Sequence, residues 1–177
     1  IITKSGTNKW ETGVGIEWAP NSLKAKNKDI YYPVTGRSYH NGTSVPPTPA
    51  TDGTLYITRK PNTSDSKTLG AFVSGPIIQD KLFMFLSAEQ RTTERGLVNG
   101  IRVGTSNAKD GWNDISDKVT RYLGKIDWNI TDDHRLELMA IGDDPVSNTK
   151  RSGFDYNSMS RVGSVTSEQT NNNINDN

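Results

Sequence analysis

The segment Lys9–Ala19, KWETGVGIEWA, repeats with a period of two. Trp10, Thr12, Val14, Ile16 and Trp18 fall on one side, and Lys9, Glu11, Gly13, Gly15 and Glu17 on the other. A strand sends successive side chains to opposite faces, whereas a helix groups residues three and four apart, so only a strand gathers these apolar residues on one face. That face must meet something apolar while the other meets water. The two tryptophans are eight residues apart, roughly 26 Å at ~3.3 Å per residue. A tilt of ~40° leaves about 20 Å along a membrane normal, close to the ~25 Å apolar band of an outer-membrane barrel. A water-soluble antiparallel sheet with one buried face alternates in the same way, so alternation alone leaves both open.

Four further stretches carry the pattern. In 67–75, Leu69, Ala71 and Val73 oppose Thr68, Gly70, Phe72 and Ser74. In 81–91, Leu82, Met84, Leu86 and Ala88 oppose Phe83, Phe85, Ser87 and Glu89. In 119–130, Tyr122, Gly124, Ile126, Trp128 and Ile130 oppose Arg121, Leu123, Lys125, Asp127 and Asn129. The stretch 135–143 is mixed, and its RLELMA run contains good helix formers. It is expected as a strand because it is short and is capped by nothing but Gly142.

The connections alternate in length. Residues 76–80, signalled by Gly75-Pro76, and residues 131–134 are tight turns. Residues 20–66, 92–118 and 144–177 read as long loops, which are uncommon in compact soluble domains. Short turns alternating with long loops predict an all-β fold of antiparallel strands. They would form part of a transmembrane outer-membrane β-barrel with short periplasmic turns and long extracellular loops. The expected lipid-facing residues are Trp10, Val14, Ile16, Trp18, Leu82, Met84, Leu86, Tyr122, Ile126 and Trp128. Glu11, Glu17, Glu89, Arg121, Lys125 and Asp127 would face the lumen, and Pro76, Asp80, Asp132 and His134 the periplasmic turns.

Composition fits this reading once the strands are recognised. The chain of 177 residues is only 32% hydrophobic, has a net charge of +1 and contains no Cys. No run of apolar residues is long enough for a membrane-crossing helix. A barrel strand needs apolar character only at alternate residues, and its loops are free to be polar. Without Cys there is no disulfide framework, Cys-based zinc site or thiol chemistry. Balanced charge, 21 Lys and Arg against 20 Asp and Glu, offers no basic face, so no nucleic-acid partner is expected. The opening Ile1-Ile2-Thr3-Lys4 reads as the inside of a strand, and the expectation is a piece of a longer precursor.

Three segments, ITKSGTN (2–8), GAFVSGPIIQDKLFMFLSAE (70–89) and YLGKIDWNITDDHRLEL (122–138), resemble TonB-dependent outer-membrane receptors of the Oar-like group. In that family a TKSGTN-type segment leaves the plug and two hairpins of these types follow in this order. Ser74-Gly75 here stands for a Gly-Gly, and Phe83-Met84-Phe85 for a run of Phe. The resemblance implies that residues 1–8 end a plug domain and 9–177 begin a 22-stranded barrel. It implies location in the outer membrane of a Gram-negative bacterium. The implied partners are outer-membrane lipid, the chain's own plug and remaining strands, an unidentified transported ligand, and the TonB complex through upstream residues. It implies a transporter part, with no enzyme activity and no cofactor.

Other chemistry finds little support in the residues. His40 and His134 lack metal-ligand spacing to a second ligand. Gly13-Val14-Gly15 lacks the third Gly of a dinucleotide fingerprint. The acidic run 110–117, expected as loop, places Trp112 where a calcium loop needs an oxygen. Tyr31, Tyr32, Tyr39 and Tyr56 would grip an outer ligand or pack the long loop on itself. The competing reading of the whole chain is a soluble secreted β-sandwich acting as an adhesin or glycan-binding module.

Overall fold

The computed structural model describes residues 7–36, 38–40, 43–45, 52–100 and 108–172. The expected plug exit, residues 1–8, therefore lies almost wholly outside the described residues. The strands are β1 (Glu11–Ala19), β2 (Ile30–Tyr31), β3 (Ser38–His40), β4 (Thr43–Val45), β5 (Leu55–Ile57), β6 (Thr63–Ile78), β7 (Leu82–Val98), β8 (Ala108–Thr131), β9 (His134–Asp155) and β10 (Ser160–Asn172). A 3-10 turn, Asn21–Leu23, follows β1.

The fold is all-β and antiparallel. One six-stranded sheet runs β1-β6-β7-β8-β9-β10, with β2-β5 and β3-β4 as two-stranded satellites. Except for the segment between β1 and β6, each strand of the large sheet pairs with its sequence neighbour. The sheet is open, with β1 and β10 at its edges.

The five expected strands are present, and four are much longer than their apolar stretches. The expected loop 92–118 is largely strand: β7 runs on to Val98 and β8 starts at Ala108. Residues 144–155 belong to β9, and the Asn-rich tail, expected as loop, forms β10 up to Asn172. Outside the apolar stretches polar residues interrupt both faces until Val98, Trp112 and Phe154, so alternation vanishes while the backbone ladder continues. Pro76 also departs from expectation. It lies within β6, buried and opposite Phe83, with a register irregularity between Pro76 and Ile78. An irregularity is where a strand tolerates a residue lacking its N–H donor.

The turn itself sits at Gln79–Lys81, where Asp80 has φ +64. Asp is among the few residues that tolerate that conformation. Asn8 ties the start of the described chain to this turn. Asp80 N–H donates to Asn8 Oδ1 at 2.8 Å, and Asn8 Nδ2 donates to Asp80 Oδ1 at 2.5 Å. The second turn, Asp132-Asp133, is closed by Thr131 Oγ1 and His134 Nδ1, 2.9 Å apart. Both tight turns lie at one end of the sheet.

The buried core lies at the opposite end and is small. Val98, Trp112, Phe154 and Tyr156 form it, with Leu55 and Ile57 of β5 packed against them. Trp112 and Phe154 stack at 6.0 Å, and Phe154 meets Tyr156 edge-on at 5.2 Å.

Candidate functional site

The candidate site is a face of the large sheet. Cross-strand pairing fixes which residues share it. Thr12 pairs with Val73, Val73 with Leu86, Leu86 with Gly124, and Gly124 with Ala140. Extending these rows places Trp10, Val14, Ile16, Trp18, Leu82, Met84, Leu86, Tyr122, Ile126 and Trp128 on one face. Leu69, Val73, Leu136 and Leu138 join them. The same alternation marks these four residues in the sequence. No Asp, Glu, Lys or Arg interrupts the face between Trp10 and Trp18, from Leu69 to Val73, from Leu82 to Ala88, or from Tyr122 to Trp128.

This band is bare. Trp10 is 59% exposed, Trp18 62% and Trp128 44%, and Val14, Ile16, Leu69 and Leu138 are also exposed. A contiguous apolar surface of this extent marks a site of contact with something apolar.

The aromatic borders of the band slant across the strands. Trp18 stands in the row Trp18–Lys67–Thr92–Lys118, but the border on β8 is Tyr122, four residues nearer the tight turns. At ~3.3 Å per residue and ~4.8 Å per strand spacing, this is a slant of about 42°. At the turn end, Trp10 lies over Gly75, in the row Gly75–Met84–Ile126, whereas β8 carries Trp128 two residues farther toward the turn. That border slants in the same sense by about 25°.

Aromatic rings on this face lie flat over cross-strand glycines. A Cβ on Gly75 would stand 2.5 Å from Trp10, and one on Gly142 would collide with Tyr122. The glycines here leave room for a ring rather than supply backbone freedom.

Above the band the face turns polar. One row carries Lys67, Thr92 and Lys118, and the next carries Asp65, Glu94, Ser116 and Asn148. Farther on, Arg161 Nη1 meets Asp114 Oδ2 at 2.5 Å, and Lys150 Nζ meets Glu168 Oε1 at 3.2 Å. Then comes the buried cluster, where Trp112 is 9% exposed and Phe154 fully covered. The acidic run 110–117, expected as loop, is the part of β8 that enters this cluster. Trp112 Nε1 donates to Asp114 Oδ1 at 2.8 Å.

The segment between β1 and β6 makes the cover. It is held by Asp29, which accepts hydrogen bonds from Thr58 Oγ1 at 2.9 Å, Arg59 N–H at 2.9 Å and Lys60 N–H at 3.2 Å. Lys60 Nζ adds an ion pair at 2.9 Å. Burial alone would raise the Asp29 carboxyl, but the bonds from Arg59, Lys60 and Thr58 outweigh it and lower the pKa to about 2. Tyr32 and Tyr56 pack edge-on at 5.0 Å, which puts two of the four loop tyrosines into the cover itself. The side chain of Tyr39 lies outside the described residues.

The reverse face holds Glu11, Glu17, Glu89, Arg121, Lys125 and Asp127. Four of these come together in pairs. Arg121 meets Glu89 at 3.3 Å, and Lys125, 4% exposed, meets Asp127 at 3.6 Å and Glu137 at 3.1 Å. Arg135 closes the group on Asp127 at 2.9 Å. Farther along, Asp117 takes Arg95 and the Ser147 hydroxyl. Among the described residues, Glu17 of β1 joins neither cluster. The face is not uniformly polar: Phe72 and Phe85 stack at 5.8 Å, and Met139 and Ile141 are exposed. Phe72, Phe85 and Ile141 help line a hollow of about 840 Å³ that also includes Gly13, Gly15, Glu89 and Arg121. Among the described residues no three His or carboxylate groups come together in a metal-binding cluster.

No protein-family model, curated protein or solved structure matches the chain.

Proposed function

We propose that this chain is a stretch of the wall of an outer-membrane β-barrel, with its bare band against lipid and its charged face toward the lumen. The observation that carries this reading is the slanted, charge-free band between aromatic borders. Its slants of about 25° and about 42° bracket much of the ~35–45° strand tilt of such barrels. The short turns at one end and the long β1–β6 segment, which covers the cluster at the other, agree with periplasmic and extracellular ends. An open sheet has two unpaired edges, so further strands must complete the wall. The ion pairs of Arg121, Lys125 and Asp127 keep charge satisfied on a wall that faces water or a plug.

Within that class we assign the chain to a TonB-dependent receptor of the Oar-like kind, on the resemblance of residues 2–8, 70–89 and 122–138. Its activity would be the TonB-energised passage of a ligand across the outer membrane. The test is fractionation of the full-length protein followed by electrophoresis with and without heating. A barrel receptor is extracted from the outer membrane by detergent and shifts in mobility on boiling. Recovery in the soluble periplasm, with mobility independent of heating, overturns the reading in favour of a secreted β-sandwich.

A further inference from the structure

We infer that the upper border of the band, at Trp18 and Lys67, is a binding site for one phosphorylated lipid. A hollow of about 500 Å³ opens there on the bare face, lined by Ile16, Trp18, Leu69, Lys67, Gln90 and Thr92. Its floor is apolar and exposed: Ile16 is 80% and Leu69 60% accessible. Lys67 Nζ stands 6.0 Å from the Trp18 ring centroid, at the rim. Lys118 occupies the same cross-strand row, with Thr92 between them. Two strand spacings separate the lysines, about 10 Å.

Charge and position select the occupant. The row contains two lysines and no carboxylate, and among the described residues neither Lys67 nor Lys118 forms an ion pair. The other cations on this face, Lys150 and Arg161, are neutralised by Glu168 and Asp114. An acyl chain fits the apolar floor, and a phosphate at its head meets the free ammonium groups at the rim. The slant of the band puts Lys67 just outside the apolar border on β6, at headgroup level. A free phosphate would use the lysines but not the floor, and a neutral lipid the floor but not the lysines.

This inference rests on the membrane reading above, and its test separates the two. Full-length protein is extracted, stripped of lipid and titrated with phosphatidylglycerol, phosphatidylcholine or inorganic phosphate, with bound species counted by native mass spectrometry. Phosphatidylglycerol is expected to bind in preference to phosphatidylcholine, and inorganic phosphate not to bind at this site. Lys67→Gln is expected to weaken phosphatidylglycerol binding about fivefold, with a smaller loss for Lys118→Gln and up to ~25-fold for the pair, from about 1 kcal/mol per cation at a charged membrane surface. Lys67→Arg should restore binding, and Lys28→Gln in the exposed loop should leave it unchanged. Equal binding by the double variant, or equal affinity for the two lipids, overturns the lipid site while leaving the barrel intact. A protein that never enters the membrane overturns both.

Discussion

Two apolar patches lie on the same face of the same sheet, and the chain treats them in opposite ways. Near the loop end, Val98, Trp112 and Phe154 are covered by Leu55 and Ile57 of the long β1–β6 segment. Near the turn end, Trp10, Val14, Ile16, Trp18, Ile126 and Trp128 are covered by nothing among the described residues. A belt containing Lys67, Lys118, Asp65 and Glu94 divides them. The chain therefore has the means to bury aromatic surface, and uses it only beyond the belt. Water is costly for both patches. Under the proposed function, the second patch meets an apolar medium supplied from outside these residues.

The largest effect that separates the patches is cavity formation. Phe154→Ala empties a fully buried position and should cost about 3–5 kcal/mol. It should be read as faster proteolysis between residues 20 and 62 of the full-length protein. Leu138→Ala in the band leaves no cavity in a packed core and should cost only about 0.5 kcal/mol in a bilayer. Equal costs would erase the contrast.

Charge insertion sharpens it from the other side. Ile126→Arg should lose about 2–4 kcal/mol of stability in lipid vesicles, while Ser116→Arg beyond the belt should change it by less than about 1 kcal/mol. Denaturant unfolding of the reconstituted protein reads both, and a harmless Ile126→Arg would deny the band its apolar surroundings.

Overpacking gives a smaller, local effect. Gly142→Val drives a side chain into Tyr122 and should cost about 1–3 kcal/mol. Adding Tyr122→Ala should recover much of that loss in a double-mutant cycle, because the collision is with that ring. Additive losses would contradict the ring-over-glycine packing.

The smallest effect is confined to the cover. Asp29 has its pKa lowered from 3.8 to about 2, so its ionised form favours the folded cover. That contribution is complete above the ordinary value and is lost as pH falls from about 4 toward 2. Hydrogen exchange at residues 52–60 should accelerate over that window, and Asp29→Asn should abolish the pH dependence. The band, lacking carboxylates, should show no matching change over that window.

The two patches also differ in how legible they are. The band is written in period two, so Lys9–Ala19 and residues 81–91 and 119–130 disclose their strands and their apolar face. The cover is written nowhere locally. Trp112 and Phe154 belong to different strands, and Leu55–Ile57 is a strand of three residues, too short to show a period. The long extensions of β7 to β10 escaped because ion pairs such as Lys150–Glu168 and Arg161–Asp114 replace apolar alternation there. Pro76 misled because Gly-Pro signals a turn, whereas a register irregularity accommodates it inside β6. Of the candidate site, the band residues and the charged residues of the reverse face separate by parity alone. Their pairing, as in Lys125 with Glu137, depends on register and is visible only in the sheet.

The four tryptophans give the most direct measurement, since three lie on the bare band and Trp112 lies under the cover. Full-length protein is reconstituted in vesicles of lipids brominated in the acyl chains, and each tryptophan's share of the quenching is read as the amount lost on its Trp→Phe replacement. Strong quenching at Trp10, Trp18 and Trp128 with little at Trp112 is the expected result. Trp10, Trp18 and Trp128 as unquenched as Trp112 would contradict a lipid-facing band.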